Sequence, residues 1–281
     1  MSFEKIRVAG ILNVTPDSFS DGGEFFSPEK AVRRAVEMEK EGADLIDLGA
    51  ESTRPGARPV SGAEELERLL PVLRGLRAKV TVPLSIDTTK PAVARAALKE
   101  GAEIINDVDG LHTRGEMAEV IREFQAGLIL MHRRGTPESM QQLTQYEDVV
   151  EEVFEELDLS FREVTASGVH PEQIVLDPGI GFSKQAEQNL ELIAGLERFH
   201  AWGRPILVGP SRKSFIGALI GKPAGERDWG TAGAAGLAVA YGAHLVRVHA
   251  VAEMREVVRV AEAIRDARHH SLCPGGTHVR S

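Results

Sequence analysis

Four side chains able to read a flat, polar ligand stand at the ends of short apolar runs. Asp87 follows Leu84-Ser85-Ile86, Asn106 follows Ile104-Ile105, Asp177 follows Ile174-Val175-Leu176, and Lys213 lies just past Ile206-Leu207-Val208. A carboxylate at the end of a buried strand must find partners or shift its pKa. Any one of the four alone fits an internal hydrogen bond to a neighbouring loop equally well. Together they offer donors and acceptors suited to the edge of a heterocycle. A second chemistry lies in Gly209-Pro210-Ser211-Arg212-Lys213-Ser214, where a strand opens into a helix. Free N–H groups, the positive helix end and two cations there make an anion site.

The elements that must carry these residues follow from periodicity. Eight apolar runs recur: 8–12, 45–48, 82–86, 104–105, 128–131, 174–176, 206–208 and 245–248. Their apolarity is continuous rather than alternating, as in strands of a parallel sheet buried on both faces. Helical stretches separate them, at 28–41, 61–77, 91–100, 115–124, 146–167, 187–196, 231–241 and 251–268. Ser27 before Pro28 and the Ser61…Glu64 spacing are helix-start signals. The pattern predicts an α/β fold, a single-domain (β/α)8 TIM barrel over residues 1–268, with a doubly wound open sheet as the alternative. Residues 269–281, rich in Gly, His and Ser, read as a disordered tail.

In such barrels the active site lies at the C-terminal strand ends, and polar groups cluster there. Asn13–Gly23 and Glu51–Gly56 follow the first two strands and read as plain connections or as mobile lids. His132-Arg133-Arg134 follows the fifth, either as a solvated edge or as part of the site, and Arg247 and His249 end the eighth. His112, His170, His200 and His244 read as loop or surface histidines.

Composition narrows the partners. With 42% hydrophobic and 27% charged residues and a net charge of −9, this is an ordinary globular chain without the basic face that nucleic acid needs. No apolar run approaches the roughly 20 residues of a membrane helix, and the start lacks a signal-peptide core. The single cysteine, Cys273, allows no intrachain disulfide, which fits a cytoplasmic location.

At the strand ends the sequence becomes recognisable. Asn13–Gly23 (NVTPDSFSDGG), Glu51–Gly56 (ESTRPG), Ser85–Thr88 (SIDT), Ile105–Val108 (INDV), Leu130–His132 (LMH), Leu176–Phe182 (LDPGIGF), Gly209–Ser214 (GPSRKS) and Arg247–His249 (RVH) resemble the dihydropteroate synthases in order along the chain. The resemblance implies a homodimeric (β/α)8 barrel joining hydroxymethyl-dihydropterin diphosphate to 4-aminobenzoate with Mg2+ assistance. It implies that Asp87, Asp177 and Lys213 are catalytic. They would hold the pterin together with Asn106, Met131, Phe182 and Gly209. Asn13, Thr53, Arg54, Arg247 and His249 would take the diphosphate, and Asn13 also the metal. Phe19, Thr53, Phe182 and Ser214 would take the aminobenzoate. The opening stretch is thereby divided: Lys213 turns to the pterin and Ser214 to a carboxylate. Pro210, Ser183 and Ala250 depart from the family pattern without removing one of these contacts. Alternatives are a methyltetrahydrofolate-binding methyltransferase barrel, a catalytically silent pterin-binding paralogue, and a Schiff-base aldolase using Lys213.

Overall fold

The computed structural model describes residues 3–15, 27–52, 59–109 and 114–272. Its strands are β1 (Arg7–Asn13), β2 (Leu45–Gly49), β3 (Leu84–Asp87), β4 (Ile104–Asp107), β5 (Gly127–Met131), β6 (Ile174–Asp177), β7 (Leu207–Val208) and β8 (Leu245–Val248). They form one parallel sheet in the order β6-β5-β4-β3-β2-β1-β8-β7. A bridge between Leu176 and Ile206, with the Leu176 N–H donating to Pro205 O at 2.9 Å, joins the two ends. That contact makes the sheet a barrel and removes the open-sheet alternative.

The helices are α1 (Pro28–Lys40), α2 (Gly62–Leu76), α3 (Pro91–Lys99), α4 (Arg114–Phe124), α5 (Val149–Ala166), α6 (Ala186–Ala194), α7 (Ser214–Ile220), α8 (Asp228–Ala240) and α9 (Val251–Leu272). Ser27 and Ser61 accept from the backbone N–H of Lys30 and Glu64, as their positions predict. Helix α5 begins later than the periodicity suggests because the Asp148 carboxylate caps it, accepting from Val150 and Glu151. Helix α9 continues to Leu272, past the predicted barrel end, and residues 273–281, with Cys273, lie outside the described residues. No helix among the described residues is long and apolar enough to cross a membrane.

Strand periodicity decides which residues meet inside. Alternate side chains such as Val8, Leu12, Ile46, Leu48, Ile86, Ile105, Leu130 and Leu176 pack outward in the main core beneath the helices. The other set points into the barrel. Ala9, Leu45, Ile129, Leu207 and Leu245 form a separate inner cluster with Ile104 and Val175 against it. Two residues further along their strands stand Asn106, Met131, Asp177, Gly209 and Arg247. Four residues past Ala9 and Leu45 stand Asn13 and Gly49. The polar groups therefore rest in a layer on an apolar plug, at the C-terminal mouth.

Candidate active site

One side of the mouth is built around a half-buried arginine. Arg247 Nε donates to Asp47 Oδ2 at 2.5 Å, and Nη2 donates to Asp87 Oδ2 at 2.8 Å. Asn106 Nδ2 donates to the same Asp47 oxygen at 3.0 Å. The second oxygen of Asp47 and the amide oxygen of Asn106 are buried and carry no partner among the described residues. An unsatisfied buried acceptor is costly, so these atoms mark where a donor-bearing ligand edge would fit. Burial raises Asp87 to about 7; the Arg247 charge opposes this and Asp47 adds to it. Near neutrality Asp87 can therefore either accept or donate.

Asp47 was not among the predicted site residues. It sits inside the run Leu45-Ile46-Asp47-Leu48 and is 1% exposed. A lone carboxylate within a strand read as buried was the available signal, since such a group needs a cationic partner. Arg247 lies at the mouth as predicted, but two of its donors are engaged by carboxylates.

The opposite side is held by the β6–α6 connection. Asp177 Oδ1 accepts from the Gly179 N–H at 2.7 Å. Lys213 Nζ donates to Ile180 O and lies 4.4 Å from the centroid of the Phe182 ring. Burial raises Asp177, and the neighbouring Lys213 charge opposes that shift. Burial lowers Lys213 to about 8 while Asp177 acts the other way. Gly181 has φ +83, and a Cβ there would lie 2.5 Å from Lys213 Cδ, so the lysine needs that glycine. Across the mouth, a Cβ on Gly49 would come 3.6 Å from Asp87 Oδ2 and 3.7 Å from Asn13 Oδ1. Asn13 and Asp87 thus face one space over a bare strand. Met131 is buried on the inward side of β5.

The Ser211–Ser214 stretch divides. Ser211 Oγ lies 2.8 Å from His249 Nδ1 and accepts from the His249 N–H at 3.2 Å, which ties β8 to the turn after β7. Lys213 turns inward, while Ser214 opens α7 exposed. Arg212, with φ +58, forms a forked pair with Asp228 at 2.7 and 2.8 Å. Only one of the two cations thus serves the mouth, which corrects the first reading of this stretch. The His132-Arg133-Arg134 run is not a solvated edge either: His132 and Arg133 are buried, and Arg134 pairs with Glu152 and Glu156. Phe19, Thr53 and Arg54 lie outside the described residues.

Residues 9–249 match a family described as "Pterin binding enzyme". The dihydropteroate synthase of Synechocystis is 49% identical over 262 residues, covering 93% of this chain and 91% of the relative. The chain belongs to the dihydropteroate synthase family. Two solved dihydropteroate synthases share its architecture. One, from Xanthomonas albilineans with 4-aminobenzoic acid, has a TM-score of 0.88 at 41% identity, covering 94% of this chain and 95% of that one. Another, from Clostridium difficile in the presence of pteroic acid, has a TM-score of 0.87 at 42% identity, covering 93% and 97%. Membership makes the chain an enzyme, a transferase, and sets aside the methyltetrahydrofolate-binding and aldolase alternatives.

Proposed function

We propose that the chain condenses 6-hydroxymethyl-7,8-dihydropterin diphosphate with 4-aminobenzoate, releasing diphosphate and forming 7,8-dihydropteroate. The observation that carries this reading is the inward layer Asp87, Asn106, Asp177 and Lys213. With Asp47 behind it, this layer combines the unsatisfied oxygens of Asn106 and Asp47 with one half-buried cation, as a pterin edge requires. Turnover is tested by diphosphate release that depends on both substrates. No release would favour the silent paralogue, and release that needs the pterin diphosphate but not 4-aminobenzoate would mean hydrolysis rather than condensation.

The chemistry is a substitution at the CH2 group beside the pterin ring. In an SN1-like course the C–O bond breaks first, its electron pair leaving with the diphosphate. The carbon is left cationic and conjugated with the ring. Asp177 and Asp87 favour that charge. The aniline nitrogen then forms the C–N bond and releases its proton to solvent. Arg247, His249 and Asn13 are the groups at the mouth that would meet the leaving anion. Mg2+ would neutralise negative charge on the diphosphate when bound. Among the described residues no three acidic, imidazole or thiol groups gather to hold a metal alone. The Asn13 amide oxygen nevertheless fits the usual arrangement, in which one or two protein oxygens share Mg2+ with substrate phosphates. The assay is therefore run with and without Mg2+, and release that is indifferent to it would remove the metal from the scheme. Positional isotope exchange in the pterin diphosphate without aminobenzoate is the expected sign of early C–O cleavage; its absence would sink the dissociative course.

Ser214, exposed at the first position of α7, suits the aminobenzoate carboxylate. Ser214→Ala should raise the aminobenzoate KM with kcat nearly kept, a loss of ~1–2 kcal/mol. A change confined to pterin affinity would place the second substrate elsewhere. The chain is further read as a homodimer in the cytoplasm. Trp229 is 87% exposed, and Leu219, Leu237, Val260 and Ile264 stand out on the adjacent helices α7, α8 and α9. Apolar exposure of that kind suits a second copy, and sedimentation equilibrium would show a monomer if this is wrong.

A further inference from the structure

Behind the mouth lies a buried lysine that the proposed chemistry does not use. Lys184 is 4% exposed, and its Nζ has three partners. It donates to Gly179 O at 3.1 Å and Phe182 O at 3.0 Å, and it lies 2.9 Å from His132 Nδ1. Three contacts match the three donors of an ammonium. The His132 ring, 3% exposed, continues the chain through Nε2 to Glu156 Oε2 at 2.9 Å. Glu156 on α5 is in turn held by Arg134. Burial lowers His132 to about 4 and Lys184 only to about 7, so below that pH the lysine rather than the imidazole carries the proton. The imidazole then accepts at Nδ1 and donates at Nε2, and every polar atom is satisfied.

The loop is coiled around that ammonium. Gly179, Gly181 and Ser183 all have positive φ, at 73°, 83° and 47°. A Cβ on Gly179 would lie 1.9 Å from His132 O, so the loop sits directly on the end of β5. With the carbonyls of Gly179 and Phe182 turned to Lys184, and Gly179 O also accepting from the Phe182 N–H at 3.1 Å, one of the two carbonyls between them, Ile180 O, accepts from Lys213. The same turn sets the Phe182 ring against the Lys213 ammonium.

We propose that Lys184 is a positioning residue for the pterin site: by gathering the Gly179 and Phe182 carbonyls, with His132 as its third acceptor, it presents Ile180 O and the Phe182 ring to Lys213. The kinetic part of the test rests on the reading of Lys213 as a pterin-binding group; the structural part does not. Lys184→Met is expected to fold and to lose about 10- to 100-fold in kcat/KM for the pterin diphosphate, with the aminobenzoate KM within about twofold of wild type. A crystal structure of Lys184→Met should show Ile180 O turned away from Lys213; an unmoved loop, or wild-type pterin kinetics in a folded protein, overturns the proposal. Should Lys184→Met fail to fold, two His132 substitutions decide. An asparagine amide oxygen can replace Nδ1 as the acceptor, so His132→Asn should retain most activity where His132→Leu loses it. Equal activity in the two, or more in His132→Leu, would mean that the site needs only packing there. If the wild type itself shows no turnover, the reading of the reaction fails, and the position of Ile180 O in Lys184→Met still decides the role of Lys184.

Discussion

Lys213→Ala and Asp177→Asn should each remove most turnover, by about 10²–10³-fold. Asp177 is buried and Lys213 half-buried, and each opposes the cost of burying the other: Lys213 counters the upward shift of Asp177, and Asp177 counters the downward shift of Lys213. Removing either does more than delete one contact. With Asp177 neutral, Lys213 loses the charge that opposes its downward shift and holds its proton less tightly, so the pocket's positive charge is weakened along with the negative one. With Lys213 gone, Asp177 holds its proton to higher pH and no longer favours a cation beside it. The acid limb of the kcat/KM profile should therefore move to higher pH in Lys213→Ala. Steady-state kinetics from pH 5 to 9, on variants shown to be folded, measure both effects. Activity within about threefold of wild type in either variant would remove that residue from the chemistry.

Arg247→Leu should be the most damaging substitution to the fold itself. The guanidinium holds Asp47 and Asp87 together, and Asp47 also fixes the Asn106 amide. Breaking a buried ion cluster by removing one partner costs about 3–5 kcal/mol, because the remaining charges stay buried without compensation. The pH dependence has a definite sign. Asp87 is raised in the folded state from 3.8 to about 7, so the folded chain binds that proton more tightly than the unfolded one. Stability from this group is present at low pH and fades as pH rises through that window. Without Arg247 the folded-state value rises further and the fading continues to higher pH. Urea denaturation should show a larger deficit for Arg247→Leu at pH 8 than at pH 5. Adding Asp47→Asn should restore part of the loss, since one buried charge goes with it. Equal deficits at the two pH values, with no rescue, would show that packing of the arginine stem matters rather than its charge.

The parts of the molecule readable in the sequence share a physical reason. Strands buried on both faces are uniformly apolar, and the helices between them announce their starts with Ser27, Ser61 and Pro28. Once a barrel is inferred, Asp87, Asn106 and Asp177 are picked out by position, because each ends an apolar run. Asp47 escaped because it lies inside one, and its partner Arg247 is 200 residues away. Only the strand register brings them together. Arg212 and Lys213 are adjacent and chemically alike, yet a positive φ at Arg212 sends one cation to Asp228 while the next enters the mouth. The Lys184–His132–Glu156 chain was equally hidden. It joins three elements: His132 follows an apolar run and could be noticed, but Lys184 and Glu156 lie in a loop and on a helix with nothing in the sequence to mark them as its partners.

The apolar plug of Ala9, Leu45, Ile129, Leu207 and Leu245, none more than 2% exposed, has a consequence for traffic. It fills the barrel beneath the polar layer, so among the described residues that layer is a floor approached from the C-terminal mouth. A molecule lying on that floor would be covered by whatever docks above it.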